Sequence, residues 1–405
     1  MIAVEEAFTR LMRQVVPLDS EPCPLEKAGG RVLAADIAAR KSQPAAALSA
    51  MDGYAVRATD LSGAETGSRT FTVIGESAAG SPFAGEVRTG QAVRIFTGAL
   101  VPDGADQIVI QENAVRDGDA VRLTAGPAPL DNIRPAGGDF TSGDTVLHAG
   151  ARVTPAMIGL AAACGHGELP VVRRARVALI STGDELVPPG QSIDSPAQIY
   201  DSAGPMVAAL LGDAGADIVM QRHVGDDAAA LERCLGEAGM QADVVLTIGG
   251  ASVGDKDFVH PVLQRMGVAL DVWKIAMRPG KPMMFGRRDG TVFVGLPGNP
   301  ASAFVSALLF VRPLTATLMG QTATLPTGRP VPLGTDLPAN GPRQHYMRAR
   351  LVHDPLGGDG EHAVIPAETQ DSSLLSVLAD SDGLIVRPAM APPVTRGCHV
   401  FFIAY

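Results

Sequence analysis

Four acidic or glycine-rich segments in the second half of the chain each follow a short apolar run. The segments are residues 181–185, 225–227, 249–257 and 295–300. Each apolar run is predicted to be a strand, and ligands bind where the carboxyl ends of parallel strands meet at one edge of an α/β sheet. One such loop alone would more often be an ordinary turn with a helix N-cap. Four loops at the same edge predict a functional site.

Three carboxylates in these loops could gather around a hard cation. Glu185, Asp226 and Asp257 offer the oxygen ligands that Mg²⁺ takes together with water and substrate phosphate. Gly249 and Gly250 precede a predicted helix, so their backbone N–H groups could bind phosphate. The loop matches neither the P-loop nor the dinucleotide pattern, and the glycine pair alone is a weak signal.

A basic segment lies close by in the sequence. Lys274, Arg278 and Lys281 are interleaved with Pro279 and Pro282, which stiffen the backbone. A rigid basic loop that faces carboxylates would let an acidic protein bind a phosphate or another oxyanion.

Strands and helices alternate from residue 176 onward. The predicted strands cover 177–180, 217–220, 243–248, 270–274 and 292–294, and the predicted helices cover 206–211, 228–236, 258–266 and 301–318. This alternation predicts a doubly wound α/β domain with a mainly parallel sheet.

The regions on both sides of the predicted α/β domain have different sequence patterns. Val4, Ala7 and Leu11 predict an amphipathic helix, and short apolar runs between 70 and 123 predict a small β-rich module. A further helix is expected over 154–164. Beyond Pro326 the chain is rich in proline and glycine, which predicts a second β domain without a strong helix.

Composition excludes several classes of protein. The 405 residues carry a formal net charge of −10 with few aromatics, which argues against a nucleic-acid or anionic-membrane binder. The four cysteines have no metal-ligand spacing, no signal peptide is evident, and the apolar stretch 301–311 is too short to span a bilayer. We therefore expect a cytoplasmic protein with no nucleic-acid or membrane partner.

An ordered set of motifs resembles the molybdopterin molybdenumtransferase family, which includes MoeA and the gephyrin E domain. The most specific string is Ser-Ala-Met-Asp-Gly-Tyr-Ala-Val at 49–56. The other matching segments are 30–34, 94–99, 102–106, 132–134, 137–139, 181–186, 199–202, 249–254, 281–282 and 295–300. The resemblance covers nearly the whole chain.

The resemblance implies a multidomain α/β plus β protein. A central α/β domain (173–322) would be flanked by an elongated linking and dimerisation domain (1–42 and 141–172). A β-rich inserted module (43–140) and a C-terminal β-barrel-like domain (323–405) would complete the subunit. The family also implies a homodimer whose active cleft is shared between subunits.

The implied reaction inserts molybdate into adenylylated molybdopterin, with Mg²⁺, and gives molybdenum cofactor and AMP. Cationic side chains would bring two anions together, which is positioning and electrostatics rather than covalent catalysis. The adenylyltransferase that supplies the substrate and the molybdoenzymes or their chaperones are expected partners.

Site residues carry over from the family position by position. Asp52, Glu185, Asp226, Asp257 and Lys274 would be catalytic, with Glu185, Asp226 and Asp257 also holding the metal. The substrate-binding residues would be Thr97, Arg134, Asp139, Gly249, Gly250, Ser252, Arg278, Lys281, Pro297, Pro300, Ser302, Arg348 and Ser372. Asp52, Thr97, Arg134 and Asp139 would come from the partner subunit.

Four positions depart from the family pattern. Leu48 and Ala203 stand where asparagine is usual, Gly138 replaces a glutamate, and Arg278 replaces a frequent lysine. We expect these changes to alter substrate affinity rather than to abolish activity, because the main acids are retained.

Two alternatives remain open. One is the related adenylyltransferase, which shares the α/β domain type but would need neither flanking β module. Its glycine loop usually reads Thr-Gly-Gly-Thr-Gly, whereas residues 248–252 here read Ile-Gly-Gly-Ala-Ser. The other is a non-enzymatic scaffold of the same family, which would tolerate loss of the acids.

Overall fold

The structure, a computed structural model, describes residues 1–13, 15–62, 68–250, 258–353 and 362–405. The chain forms two compact units. The first comprises Met1–Glu21, Gly30–Ala34 and Val171–Tyr405, and the second comprises Pro22–Gly29 and Ala35–Pro170. The strands Ser20–Pro24 and Glu168–Val172 run across the boundaries of these units. The four-part division expected from the family stays a prediction.

A mixed six-stranded sheet forms the centre of the first unit. Its order is Asp217–Val224, Arg176–Thr182, Val244–Ile248, Thr291–Leu296, Pro282–Arg288 and Ala269–Lys274. The first four strands are parallel, and Pro282–Arg288 is antiparallel to both of its neighbours. The predicted mainly parallel α/β domain is therefore confirmed, with one antiparallel strand that the sequence analysis did not identify.

Helices cover both faces of this sheet. Val177 and Leu179 pack with the core that includes Val4–Met12, Ala203–Asp213 and the long helix from Pro300. The alternate residues Ala178 and Ile180 pack on the other face with Ala228–Gln241 and Val259–Arg265. Side chains alternate between the two faces of a sheet, and helices cover both faces here. The strand is therefore a continuous run of apolar residues.

The long helix is continuous from Pro300 to Leu318 but contains a π turn at Ala307–Val311. Pro313 follows that turn, and because proline lacks an N–H and its ring crowds the preceding turn, a wider turn accommodates it. The helix is long and apolar enough to cross a membrane, with a mean hydropathy of 1.5, yet 83% of it is buried within the fold. Burial of this kind is typical of a core helix.

An ion pair fastens the amino-terminal edge of the sheet. Asp243 accepts from both terminal nitrogens of Arg173 at 2.7 Å and from the backbone N–H of Arg176 at 2.9 Å. Burial alone would raise the pKa of Asp243, but these hydrogen bonds outweigh it and hold the pKa below its usual value. The stabilisation is therefore present at neutral pH and is lost as the pH falls through the lowered pKa.

The C-terminal part of the first unit is built on a second six-stranded sheet, which confirms the predicted β domain. Its strands are Met277–Arg278, Gln344–His353, Gly383–Arg387, His399–Ala404 and Arg329–Pro332 in that order, with His362–Pro366 paired to Gln344–His353. A short helix, Leu375–Ala379, lies between two of them.

The second unit is built on a six-stranded β sheet, in agreement with the predicted β-rich module. Its order is Gln107–Ile110, Gly53–Val56, Gln91–Ile95, Arg69–Ser77, Ala120–Leu123 and Ala114–Asp117. Two small antiparallel pairs join it: Leu48–Ser49 with Ile133–Arg134, and Ile37–Ala38 with Thr145–Leu147. The predicted helix is present as Pro155–Ala163, where the Thr154 hydroxyl caps the Met157 N–H at 3.3 Å.

Candidate active site

The described parts of the four predicted loops line one cleft of about 870 Å³ in the first unit, a volume that suits a small-molecule ligand. Residues that line the cleft come directly after the carboxyl ends of four strands, at Thr182, Val224, Ile248 and Leu296. The prediction that these loops meet at the carboxyl edge of the sheet is confirmed. Of the predicted site residues, those that line the cleft are Glu185, Asp226, Gly249, Gly250, Lys281, Pro297, Pro300 and Ser302.

Glu185 reaches the cleft from a loop whose geometry requires glycine. Gly183 has φ +143°, and a Cβ there would lie 2.5 Å from the Glu185 carboxylate. The Gly183 carbonyl also contacts the His223 ring nitrogen Nε2 at 2.8 Å, which ties this loop to the neighbouring strand. Because position 183 has no side chain, the glutamate can fold over its own turn.

Asp226 is held in the cleft by the adjacent loop. The backbone N–H of Asp226 donates to Asp184 Oδ1 at 2.9 Å. The next residue, Asp227, caps the following helix through the N–H groups of Ala229 and Ala230. The two neighbouring aspartates therefore have different positions: Asp227 caps the helix, whereas Asp226 lines the cleft.

The glycine pair lets three backbone segments approach one another. Gly249 has φ +96°, and a Cβ there would lie 2.7 Å from the Thr182 carbonyl oxygen. A Cβ on Gly298 would lie 3.5 Å from the Gly249 Cα. Ser252 and Asp257, which belong to the same predicted loop, lie outside the described residues.

The basic segment is brought to the edge of the cleft. Lys281 and Pro282 line it, and Lys274 pairs with Pro282 at the end of the antiparallel ladder. Arg278 pairs instead with His345 of the C-terminal sheet. Lys274 and Arg278 do not line the cleft, so their roles in substrate binding stay predictions.

Ser372 contacts the last of the four loops without lining the cleft itself. Asn299 Nδ2 donates to the Ser372 hydroxyl at 3.0 Å, and the Ala301 N–H donates to the Ser372 carbonyl at 3.1 Å. Its neighbour Ser373 does line the cleft. Through these two hydrogen bonds, Ser372 helps to position the loop 295–300.

Arg348 is an unusual buried cation, with only 1% of its surface exposed. One terminal nitrogen donates to the Leu374 carbonyl at 3.2 Å, and Nε has no partner among the described residues. Burial lowers the pKa of Arg348. The side chain supports the loop 371–375 from inside the C-terminal sheet and does not reach the cleft.

Asp52 and Thr97, in the second unit, contact each other directly. Asp52 Oδ1 accepts from the Thr97 backbone N–H at 2.7 Å and from its hydroxyl at 2.8 Å. These hydrogen bonds, together with nearby Arg94, lower the pKa of Asp52. The carboxylate is therefore ionised at neutral pH.

Arg134 and Asp139 are exposed in the same unit. Arg134 pairs with Leu48 in the short antiparallel ladder, and the Asp139 N–H donates to the Gln43 carbonyl at 2.9 Å. How these residues act on substrate stays a prediction.

The residues of the cleft fit the Mg²⁺ that the resemblance implies. Within the described residues, no group of three or more His, Cys, Asp and Glu side chains is arranged to hold a metal ion. Glu185 and Asp226, two exposed carboxylates of one cleft, offer the type of ligand that Mg²⁺ takes when one or two carboxylates act with water and substrate phosphates.

Tyr200 and Asp201 are among the lining residues that the sequence analysis left without a role. Both belong to the matched motif at 199–202. Asp201 is buried and accepts from the Gly204 N–H at 2.9 Å, which secures the start of the helix Ala203–Asp213.

Comparison with known proteins gives the family. The structure superposes on the molybdopterin biosynthesis MoeA protein of Pyrococcus horikoshii with a TM-score of 0.84, at 27% identity, covering 100% of this chain and 99% of that one. The chain is 40% identical to molybdopterin molybdenumtransferase of Haemophilus influenzae over 323 residues, which is 79% of this chain and 78% of the relative. The chain belongs to the molybdopterin molybdenumtransferase family.

Further matches extend this membership along the molecule. The "MoeA N-terminal region (domain I and II)" matches residues 2–165, the "probable molybdopterin binding domain" matches 178–317, and the "MoeA C-terminal region (domain IV)" matches 330–404. Molybdopterin molybdenumtransferase 2 of Mycobacterium tuberculosis is 38% identical over 402 residues, or 98% of this chain and 97% of that protein. The expectation of an enzyme of the molybdopterin molybdenumtransferase family, active in molybdenum cofactor biosynthesis, is confirmed.

Proposed function

We propose that this protein inserts molybdate into adenylylated molybdopterin and releases AMP, in a Mg²⁺-dependent reaction that gives molybdenum cofactor. The observation that supports the proposal best is the meeting of Glu185, Asp226 and Lys281 in one cleft at the carboxyl edge of the sheet. Carboxylates that can bind a divalent cation thus lie with a cation that can bind an anion.

The two acids would bind Mg²⁺ from one side and leave its other positions to the substrate phosphates and water. Bound there, the metal supplies Lewis-acid polarisation of the phosphoanhydride between pterin phosphate and AMP. The backbone of Asp226 is held by Asp184, and Glu185 follows the turn at Gly183, so the structure defines the backbone position of each acid.

Lys281 and the glycine loop would seat the anionic groups of the two substrates. The Lys281 carbonyl accepts the Ile275 N–H at 2.8 Å, so its backbone is fixed across from Lys274. Because the described lining contains neither cysteine nor histidine, it offers no Cys–His or Ser–His pair, which favours positioning and electrostatics over a covalent intermediate.

We further propose that the enzyme is a cytoplasmic homodimer. In that assembly, Asp52, Thr97, Arg134 and Asp139 of one subunit would complete the cleft of the other. The ionised Asp52, held by Thr97, would be one of the two acids that the second subunit contributes, with Asp139.

The acids of the cleft distinguish the scaffold alternative from the enzyme. An inactive scaffold would not depend on Glu185 or Asp226, whereas the enzyme would. The adenylyltransferase alternative does not explain why the regions on both sides of the α/β domain match the MoeA regions.

The test mixes purified protein with adenylylated molybdopterin and Mg²⁺ and follows AMP with and without molybdate. We expect AMP release to require molybdate and to stop when Mg²⁺ is chelated. AMP release at the same rate without molybdate would contradict the proposal.

A further inference from the structure

Two histidines lie directly opposite each other on neighbouring strands of the C-terminal sheet. The antiparallel register pairs His353, the last residue of the strand Gln344–His353, with His362, the first residue of the strand His362–Pro366. Opposite residues of an antiparallel pair lie on the same face, with Cβ atoms about 4.5–5.5 Å apart. The two imidazoles therefore leave the sheet side by side, and we call them the histidine pair.

The rings of the histidine pair are close together and open to solvent. Their centroids are 6.2 Å apart and their planes are inclined at 74°. Both residues are exposed, so each ring can turn about its side-chain torsions. A neutral imidazole carries one nitrogen with a free lone pair, and it is the commonest protein ligand for transition metals.

Hydrogen bonds next to the histidine pair hold the backbone of both strands. The Leu351 N–H donates to the Asp382 carboxylate at 2.8 Å, on the strand that ends at His353. On the other strand, the Val364 carbonyl accepts the Gly334 N–H at 2.8 Å. Each histidine lies two residues from one of these anchors, so the rings can converge on an ion without a rearrangement of the sheet.

The geometry points to a metal site. Two nitrogens that bind one tetrahedral ion at about 2.0–2.1 Å lie roughly 3.3 Å from each other. An imidazole nitrogen that is turned toward the partner ring lies closer to it than its own centroid does, so rotation of the exposed rings brings 6.2 Å between centroids to this range. We propose that His353 and His362 chelate one divalent transition-metal ion, such as Zn²⁺, Cu²⁺ or Ni²⁺, whose remaining positions are filled by water.

The choice of ion follows from the ligand chemistry. Imidazole nitrogen binds Cu²⁺, Ni²⁺ and Zn²⁺ well, whereas Mg²⁺ takes oxygen ligands. The histidine pair is thus selective for a different class of ion from Glu185 and Asp226 of the cleft, and it does not depend on the proposed function.

A bound ion would link the two strands through their side chains. The antiparallel register exists only in the folded chain, so chelation favours the folded state over the unfolded one. The site therefore makes the stability of the protein respond to transition-metal concentration.

Calorimetric titration of tag-free protein with Zn²⁺ and with Cu²⁺ tests the site. Excess Mg²⁺ is present throughout to fill oxygen sites. All proteins carry Cys398→Ser, because this exposed thiol would also bind these ions. His353→Ala and His362→Ala are compared with His148→Ala, which removes an exposed histidine whose ring contacts the Asp36 carboxylate at 3.8 Å.

We expect one Zn²⁺ or Cu²⁺ per chain at the tightest site. Loss of either member of the histidine pair should weaken that site by roughly 100-fold, because a chelate becomes a single ligand. His148→Ala should leave the affinity unchanged. Zn²⁺ should raise the thermal unfolding midpoint only when both histidines of the pair are present.

Electron paramagnetic resonance of the Cu²⁺ complex counts the nitrogen ligands without a substitution at the pair. Two nitrogens are expected when both histidines are present, and one or none in each single variant. A single nitrogen in the protein that retains both would contradict the proposal.

Three further outcomes would overturn it. Equal affinity in His353→Ala, His362→Ala and their parent would place the ion elsewhere. Weakening in only one of the two variants would show a single-imidazole site. Displacement of Zn²⁺ by the excess Mg²⁺ would assign binding to oxygen ligands.

Discussion

At the scale of single residues, the acids of the cleft depend on neighbours that do not touch substrate. Asp184 accepts the Asp226 N–H, and Gly183 leaves the space into which Glu185 folds. The motifs identified Glu185 and Asp226 as candidate ligands. They gave no role to Asp184, because an acid in a turn is more often a solvated residue than a support for its neighbour.

Asp226→Asn and Asp227→Asn make a matched pair. We expect Asp226→Asn to lower kcat by about 100-fold, because an amide is a poor ligand for Mg²⁺. Asp227→Asn should retain activity, because asparagine caps a helix as well as aspartate does.

Initial rates of AMP release, with thermal unfolding as a check on the fold, measure both variants. Both should unfold within about 0.5 kcal/mol of wild type. Near-normal turnover in Asp226→Asn would remove this acid from the site.

The departures from the family pattern are accommodated locally. Leu48 pairs with Arg134 through the backbone, so the ladder does not depend on the identity of its side chain. A Cβ on Gly138 would lie 3.2 Å from the Pro135 carbonyl oxygen, so a larger residue there would require a small backbone adjustment. Their effect on affinity stays a prediction.

At the scale of elements, periodicity predicted the strands that are buried on both faces and the helices between them. The strand Asp217–Val224 was predicted only as far as Met220. It lies at the edge of its sheet and continues through Gln221, Arg222 and His223 to Val224, so polar residues extend the strand beyond the apolar run. Apolar patterning underestimates edge strands for this reason.

The antiparallel strand Pro282–Arg288 was missed altogether. It begins with Pro282 of the rigid basic segment, which the sequence analysis treated as a loop. Proline is tolerated at the first residue of a strand, so the breaker did not exclude one. The cleft could be predicted from the loops that follow the parallel strands, whereas the position of Lys274 beside Lys281 depends on this hairpin-like pairing.

Gly249→Ala tests whether the close approach of backbones shapes the cleft. Gly249 has φ +96°, and a Cβ there meets the Thr182 carbonyl oxygen at 2.7 Å. The control is Gly290→Ala, which has a similar φ of +89° but nothing within 4 Å of the added Cβ.

We expect each variant to lose about 1–2 kcal/mol from the unfavourable φ. Gly249→Ala should lose more and should also raise KM, since the contact with Thr182 displaces the loop. Chemical denaturation and steady-state kinetics measure the two effects. Identical behaviour of the two variants would show that the close approach at Gly249 has no consequence.

At the scale of the whole molecule, family relationship extends over almost the entire chain, while the structure separates it into two compact units. Asp52 and Thr97 lie in one unit, and Glu185 and Asp226 lie in the other. The family resemblance identified all four residues and implied that the partner subunit supplies Asp52 and Thr97, which stays a prediction. The shared site of the proposed homodimer therefore needs its own experiment.

Subunit mixing provides that experiment. Asp52→Ala and Glu185→Gln should each be inactive alone. After the two are mixed and allowed to exchange subunits, about a quarter of wild-type activity should return, because half of the dimers are mixed and each has one intact site. Native mass spectrometry of the mixture, with one variant carrying a mass tag, controls for the extent of exchange. Absence of recovery despite exchange would show that both acids act within one subunit.

The most direct measurement compares AMP released with molybdenum incorporated in the same reaction. Single-turnover samples are quenched, AMP is quantified by chromatography, and molybdenum bound to the dithiolene product is quantified by mass spectrometry. We expect one molybdenum incorporated per AMP released at every time point. AMP that accumulates without matching molybdenum in the product would contradict insertion coupled to nucleotide release.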